Sequence, residues 1–345
     1  MPKATSRQVY KLKAGDIGRL KISDESLSIP SSKEVQIKVY AIGLNFADVF
    51  AILGLYSATP EGTFIPGLEY AGEVVAIGDH VKDINVGDRV MGVTRFGAYA
   101  TYVNIDYRYV VSLPESWTYK EGASYLVQVL TAYYGLSKLG NIRDGHTVLI
   151  HSAAGGVGLW ANRICKSKGA TTIGTVGSSE KLDLLQSEGY DEAIVRNPRT
   201  FKKDLIEKLN DRSLDLIMEC IGGKIMKIGF DLLGPMGRHI VYGSAQYGDT
   251  SNRPNYFKLI PKYLARPRLD PQNMIKHNKG VLAFNLIYLF DNVSIMHELL
   301  QELKLLDLGH PIIGHAFKFE ELPAAIKLFQ SGSTIGKVVI EVLPT

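Results

Sequence analysis

The chain has 345 residues, 46% of them hydrophobic and 21% charged, the balance of a water-compatible globular protein long enough for two domains. Its net charge of +4 is too small and too scattered to argue for nucleic acid, and its two cysteines, Cys165 and Cys220, have no spacing that suits a disulfide framework or a cysteine zinc site. Residues 1–19 lack the apolar core of a signal peptide, and no uncharged apolar run reaches the roughly 18 residues of a membrane span, so a cytoplasmic location is expected.

From 35 to about 111 the pattern is short strands broken by glycine: 35–41, 72–77, 88–92 and 100–103. Turns this frequent predict a compact β-rich unit. From about 123 helix and strand alternate. Apolar runs at 148–150, 172–176, 193–195, 214–218 and 239–242 predict a parallel, doubly wound α/β sheet, with a further strand at 282–289. The tail reads as a helix at 294–306, another at 321–331 and a strand at 337–342.

The most informative stretch joins the run 147–150 to a predicted helix at 159–168 through a turn of small residues. Within it, Ala154, Gly155, Gly156, Val157 and Gly158 suit the strand–turn–helix unit that brings a helix N-terminus to a pyrophosphate. Gly155 permits close approach of backbone to phosphate, and Gly158 permits close packing of helix on strand. Ala153 stands where the plain G-x-G-x-x-G fingerprint has its first glycine.

With its flanks, Leu-Ile-His-Ser-Ala-Ala-Gly-Gly-Val-Gly, this loop resembles that of the quinone oxidoreductases and enoyl reductases of the medium-chain dehydrogenase/reductase superfamily. Gly43-Leu44-Asn45-Phe46-Ala47-Asp48, Pro66-Gly67-Leu68-Glu69-Tyr70-Ala71-Gly72, Gly87-Asp88-Arg89-Val90 and Gly336-Lys337-Val338-Val339 follow the superfamily's order. The resemblance covers nearly the whole chain. It implies a GroES-like β-rich catalytic domain at 1–125, a Rossmann nucleotide-binding domain at 126–289, and a return to the first domain at 290–345.

Zinc-dependent relatives have a cysteine and a histidine where this chain has Asn45 and Leu68, and neither replaces a thiolate or imidazole on Zn²⁺. The segment 90–114 also lacks the four cysteines of their structural zinc. No metal is therefore expected, and the chemistry moves to hydride transfer onto a substrate that carries its own electron sink.

No acid closes the strand 172–176, where an NAD-binding unit grips the ribose 2′-OH. Ser178, Ser179 and Lys181 follow instead, groups that suit a 2′-phosphate and so NADPH. By resemblance Lys181 selects NADPH, with Arg196 as an added guanidinium contact; the alternative is that Lys181 caps a solvated helix. Resemblance also adds Thr131, Cys220, Tyr242, Gly243, Ser244, Phe284, Leu286 and Lys337 to the cofactor site. Cys220 also reads as a small buried hydrophobe, and His151 as packing. Asn45 is expected beside the nicotinamide. Tyr56 is expected over the substrate, either donating a hydrogen bond or proton to a carbonyl or quinone oxygen, or simply lining the pocket.

Between 246 and 280 seven basic residues face only Asp249 and Asp270, interleaved with Tyr256, Phe257, Ile260 and Tyr263. This reads either as a solvated helix or as a dock for an acidic partner such as an acyl carrier protein or an anionic membrane. Three functions remain open: a free-standing reductase of quinones or enones, an enoyl reductase of a polyketide synthase acting on carrier-bound thioesters, and a non-enzymatic vesicle amine transport-like protein. A homodimer paired through the strand 282–289 is expected.

Overall fold

The computed structural model describes residues 5–342, so the first four residues of the stretch 1–19 lie outside the described residues. Three sheets organise the chain. β1 (Ser6–Lys13) pairs with β2 (Lys21–Ser26) and with β4 (Thr63–Phe64). A seven-stranded sheet runs in the order β15 (Ile313–Lys318), β16 (Lys337–Glu341), β3 (Glu34–Gly43), β5 (Glu69–Ile77), β6 (Arg89–Val93) and β8 (Val110–Ser112), with β7 (Tyr102–Asp106) also paired to β3. The six-stranded sheet is parallel throughout, in the order β11 (Glu192–Val195), β10 (Thr171–Val176), β9 (Thr147–His151), β12 (Leu216–Glu219), β13 (Arg238–Val241) and β14 (Gly280–Ala283).

The helices are α1 (Phe46–Ile52), α2 (Tyr119–Gly122), α3 (Leu126–Tyr133), α4 (Gly156–Ser167), α5 (Leu182–Ser187), α6 (Phe201–Leu209), α7 (Gly223–Leu232), α8 (Tyr256–Leu264), α9 (Pro271–His277), α10 (Val293–Leu303) and α11 (Leu322–Gln330). This is the α/β architecture expected from sequence: a β-rich unit beside a doubly wound parallel sheet.

All five residues of β9 are buried, which explains its unbroken apolar run: a central parallel strand is covered on both faces. Val148 and Ile150 pack into one cluster with Trp160 and Met218, while Leu149 joins Ile173 and Ile217 in another on the opposite face. Strand order reverses at β9, since β10 and β11 lie on one side and β12 to β14 on the other. A crevice at such a switch point is where doubly wound sheets bind ligands.

The tail strand β16 pairs antiparallel with β3 through Val339↔Gly43 and Ile340↔Ile42, so the last strand closes onto the first sheet. One expected element changes. The run 282–289 is strand only as far as Ala283; beyond Asn285 it becomes a single helical turn, Leu286–Leu289. The apolar side chains after Ala283 turn away from the sheet edge. Ile287 is buried, and Phe284 meets the Tyr134 and Tyr242 rings at 5.0 and 6.4 Å. A short apolar run does not by itself distinguish strand from helix.

Candidate active site

A cavity of about 830 Å³ lies at the switch point, bordered by both large sheets and their loops. Along it lie Asn45, Tyr56, Thr131, the loop 154–158, Lys181, Arg196, Cys220, Tyr242, Gly243, Ser244, Phe284 and Leu286. Ser178 stands half-buried beside it, and Lys337 lies beneath its floor.

At one end the chain leaves β9 through Ser152, a non-glycine residue at φ 51°, and enters the twelve-residue helix α4. Gly155 N–H donates to Ser152 O at 2.9 Å, which closes the turn. A Cβ on Gly158 would lie 2.7 Å from Ala153 Cα, so the helix packs on the turn only with glycine there. Gly156 meets Gln128 rather than open space, since its Cβ would lie 1.9 Å from Oε1. Tyr190 anchors the loop by donating to Gly158 O at 2.7 Å, and Gly336 N–H donates to Ala154 O at 2.8 Å. The first turn of α4 thus presents its unpaired N–H groups and positive dipole end to the cleft, a cradle that fits a pyrophosphate.

Further along, Lys181 and Arg196 approach each other with different commitments. Lys181 is buried, and its ammonium donates to the carbonyls of Gly332 and Thr334 at 2.6 and 2.7 Å. Burial and the Arg196 charge lower its pKa. Among the described residues Arg196 spends only Nη1, donating to Thr175 O and Oγ1 at 2.9 and 3.0 Å. Its Nη2 would lie 3.7 Å from a Cβ on Gly177, at the cleft wall.

At the other end Asn45 precedes α1, and its backbone N–H donates to Asp48 Oδ2 at 2.8 Å. Its Nδ2 donates to Glu69 Oε1 at 2.9 Å, and its Oδ1 accepts from Lys337 Nζ at 2.9 Å. Lys337 and Glu69 form a buried ion pair, each 1% exposed. Burial pushes the Asp48 carboxyl up to about 7. Thr131 donates to Val127 O in its own helix at 2.6 Å, so it offers the cleft only acceptor capacity. Cys220 lies 3.4 Å from Ser152 Oγ, and burial raises its pKa, which keeps it a neutral thiol. The Tyr56 hydroxyl donates to Asn285 Oδ1 at 2.7 Å, and burial pushes its pKa up to about 12.

His151, read from sequence as packing, belongs to a buried polar cluster. Its Nδ1 is 2.8 Å from Thr175 Oγ1, and its Nε2 is 3.5 Å from Glu219 Oε2. His239 Nε2 lies 3.3 Å from the same oxygen. Burial alone would raise the Glu219 carboxyl; the two histidines and the Gly222 N–H reverse this and hold it low. Burial lowers His151 to about 4. Sequence reasoning missed Glu219, His239, Gln128 and Asn285. For Glu219 and His239 the only available signal was a polar residue inside an otherwise apolar strand.

A family model for the alcohol dehydrogenase GroES-like domain matches residues 31–115, and one for zinc-binding dehydrogenases matches 156–279. The synaptic vesicle membrane protein VAT-1 homolog of Rattus norvegicus is 33% identical over 314 residues, covering 90% of this chain and 77% of that protein. The chain belongs to the medium-chain dehydrogenase/reductase superfamily. Its superfamily binds nicotinamide dinucleotides, in keeping with the loop before α4. The pikromycin polyketide synthase component PikAII of Streptomyces venezuelae is 38% identical over 218 residues, 63% of this chain and 6% of that protein. The CurK enoyl reductase structure superposes with a TM-score of 0.82 at 27% identity, over 98% of this chain and 99% of that one.

The donor set does not fit zinc. At the position the superfamily uses, this chain offers a carboxamide, a buried leucine and a glutamate already neutralised by the Lys337 ammonium. Among the described residues no group of three or more His, Cys, Asp or Glu side chains is arranged to hold a metal ion. No described helix is long and apolar enough to cross a membrane.

Proposed function

We propose that this chain is an NADPH-dependent, zinc-independent reductase that delivers hydride to the activated C=C bond of an enone or enoyl thioester, or to a quinone. One observation carries the reading. A single cavity joins the N-terminus of α4, suited to a pyrophosphate, to a far wall where Asn45 and Tyr56 meet space otherwise bounded largely by apolar side chains. Hydride transfer asks chiefly for alignment in a dry cleft, and such a cleft supplies it.

Bound NADPH supplies the hydride. The chain's own residues do the rest. The loop 154–158 and the α4 N-terminus hold the pyrophosphate. Arg196, with Ser178, would meet the 2′-phosphate and select NADPH, while Lys181 would hold the cleft rim through the carbonyls of Gly332 and Thr334. Asn45, with its carboxamide fixed by Glu69 and Lys337, positions the nicotinamide, while Cys220, Tyr242, Gly243, Ser244, Phe284 and Leu286 wall its ring. Thr131 contributes an acceptor beside it. Lys337 acts through Asn45 rather than by touching the cofactor, since it lies below the floor.

The likeness to CurK and PikAII favours enoyl thioesters within this class. The helices α8 and α9 have no buried residue and carry Lys258, Lys262 and Lys276, which suits an acidic acyl carrier protein as the bearer of substrate. We place the protein in the cytoplasm, where Cys165 and Cys220 stay reduced, as a homodimer paired through the edge strand β14.

A second reading, a non-enzymatic vesicle-associated binding protein, draws on the identity to the VAT-1 homolog and on the exposed apolar face of α8, where Phe257 is 95% exposed. NADPH consumption with a panel of quinones, enones and crotonyl thioesters separates the two: turnover supports the reductase, and its absence with all three classes rejects it.

A further inference from the structure

Tyr56 and Asn285 reach the cleft from opposite sides. Tyr56 follows α1 and Asn285 follows β14, 229 residues later, yet the tyrosine hydroxyl donates to Asn285 Oδ1 at 2.7 Å. A carboxamide carries one acceptor oxygen and two N–H donors. Here the oxygen is occupied, while Nδ2 has no hydrogen-bond partner among the described residues. With the hydroxyl hydrogen spent on Oδ1, the carboxamide turns its Nδ2 away from Tyr56.

The backbone holds the residue in place. Tyr288 N–H donates to Asn285 O at 3.1 Å, and buried Ile287 pins the helical turn that follows. Around the pair the cleft is apolar: Phe96 sits edge-on to Tyr56 at 6.4 Å, and Leu55, Leu286 and Leu289 border the same space. Burial keeps Tyr56 a neutral phenol, and its single hydrogen is committed to Asn285. Asn285 Nδ2 is thus the donor that the pair offers to a ligand.

Resting on the reductase reading above, we infer that Asn285 is a catalytic residue whose Nδ2 hydrogens hold the carbonyl oxygen of an enone or enoyl thioester, with Tyr56 as the positioning residue that orients the carboxamide. Hydride brings two electrons to the β-carbon and forms a C–H bond. The C=C pair moves to the bond between the α-carbon and the carbonyl carbon, and the C=O pair moves onto oxygen. Negative charge grows at the atom Asn285 holds, where a charge-assisted N–H···O⁻ bond stabilises it most. Water then protonates the α-carbon and the carbonyl re-forms. The substrate gains one hydride and one proton, NADPH is oxidised, and no group leaves.

The test compares Asn285→Asp, Asn285→Ala and Tyr56→Phe with the parent chain, using crotonyl-CoA as substrate and butyryl-CoA as a non-reducible ligand. Asn285→Asp keeps an acceptor for Tyr56 and removes the donor. Its kcat is expected to fall about 100-fold or more, the loss seen on removing one oxyanion donor, with Asn285→Ala close behind. Tyr56→Phe is expected to lose less than about tenfold, because it disturbs only orientation. NADPH binding, followed by fluorescence, stays at the parental value in all three, and butyryl-CoA binding weakens in both Asn285 variants. Parental kcat in both Asn285 variants, or a Tyr56→Phe loss as deep as that of Asn285→Asp, overturns the inference. If the parent chain reduces nothing, the reductase reading fails by itself. The Asn285 site then stands or falls on whether Asn285→Asp weakens butyryl-CoA binding.

Discussion

The Lys337 ammonium lies 2.9 Å from Asn45 Oδ1, a contact between residues 292 positions apart in the chain. It leaves the carboxamide no freedom to turn, since Asn45 Nδ2 is bound to Glu69 at 2.9 Å. A cation is thus built into the protein next to the position where zinc-dependent members of the superfamily hold metal.

Removing that cation strands a buried carboxylate. Lys337→Met should destabilise the fold by about 3–5 kcal/mol, the cost of breaking a buried pair from one side. Lys337→Met with Glu69→Gln should recover much of the loss. Urea unfolding of the three chains checks this; a single variant as stable as the parent would remove the pair from the account.

Cofactor choice is expected to turn on Arg196 more than on Lys181, whose ammonium already serves two carbonyls. Arg196→Ala should weaken NADPH binding by about 1–3 kcal/mol and leave NADH nearly unchanged. Lys181→Ala should weaken both cofactors, because it releases the carbonyls of Gly332 and Thr334 at the cleft rim. Calorimetry with each nucleotide distinguishes the two patterns. Equal affinity of the parent for NADPH and NADH would contradict the assignment.

The cluster around His151 predicts a pH dependence. Burial lowers the folded-state pKa of His151 from 6.5 to about 4, so between these values the unfolded chain binds the extra proton. Its contribution is present above pH 6.5 and is lost as pH falls. From pH 7 to 5 the parent should lose about 2 kcal/mol that His151→Gln does not lose. Parallel stability curves for the two chains would rule out a neutral buried imidazole.

Much of this architecture is legible in the sequence, for physical reasons. β9 announces itself by the apolar middle, 148–150, of a strand buried on both faces, and Gly158 because α4 packs too closely for a side chain. The loop and the missing metal ligands are local motifs, readable in a few residues. What the sequence hides is pairing across distance. Nothing beside Lys181 names Gly332 and Thr334 as its partners, and nothing near Tyr56 points to Asn285. The run after Ala283 misleads because its apolar side chains face a cleft rather than a neighbouring strand. Glu219 and His239 are each buried for the sake of the other, and single-residue propensity argues against both positions.

Among the described residues strand β14 pairs only with β13, which leaves its outer edge unpaired there. Two-fold pairing of that edge would join two six-stranded sheets into one and remove an aggregation hazard. Light scattering at micromolar concentration should give twice the chain mass, and a monomer would contradict the dimer.

The central claim is metal-independent hydride transfer from NADPH to an activated alkene. The most direct measurement follows NADPH absorbance with crotonyl-CoA after exhaustive chelation, with metal content determined on the same sample. Undiminished turnover to the saturated thioester is expected, with no stoichiometric zinc present. Loss of turnover on chelation and its return with added zinc would contradict it.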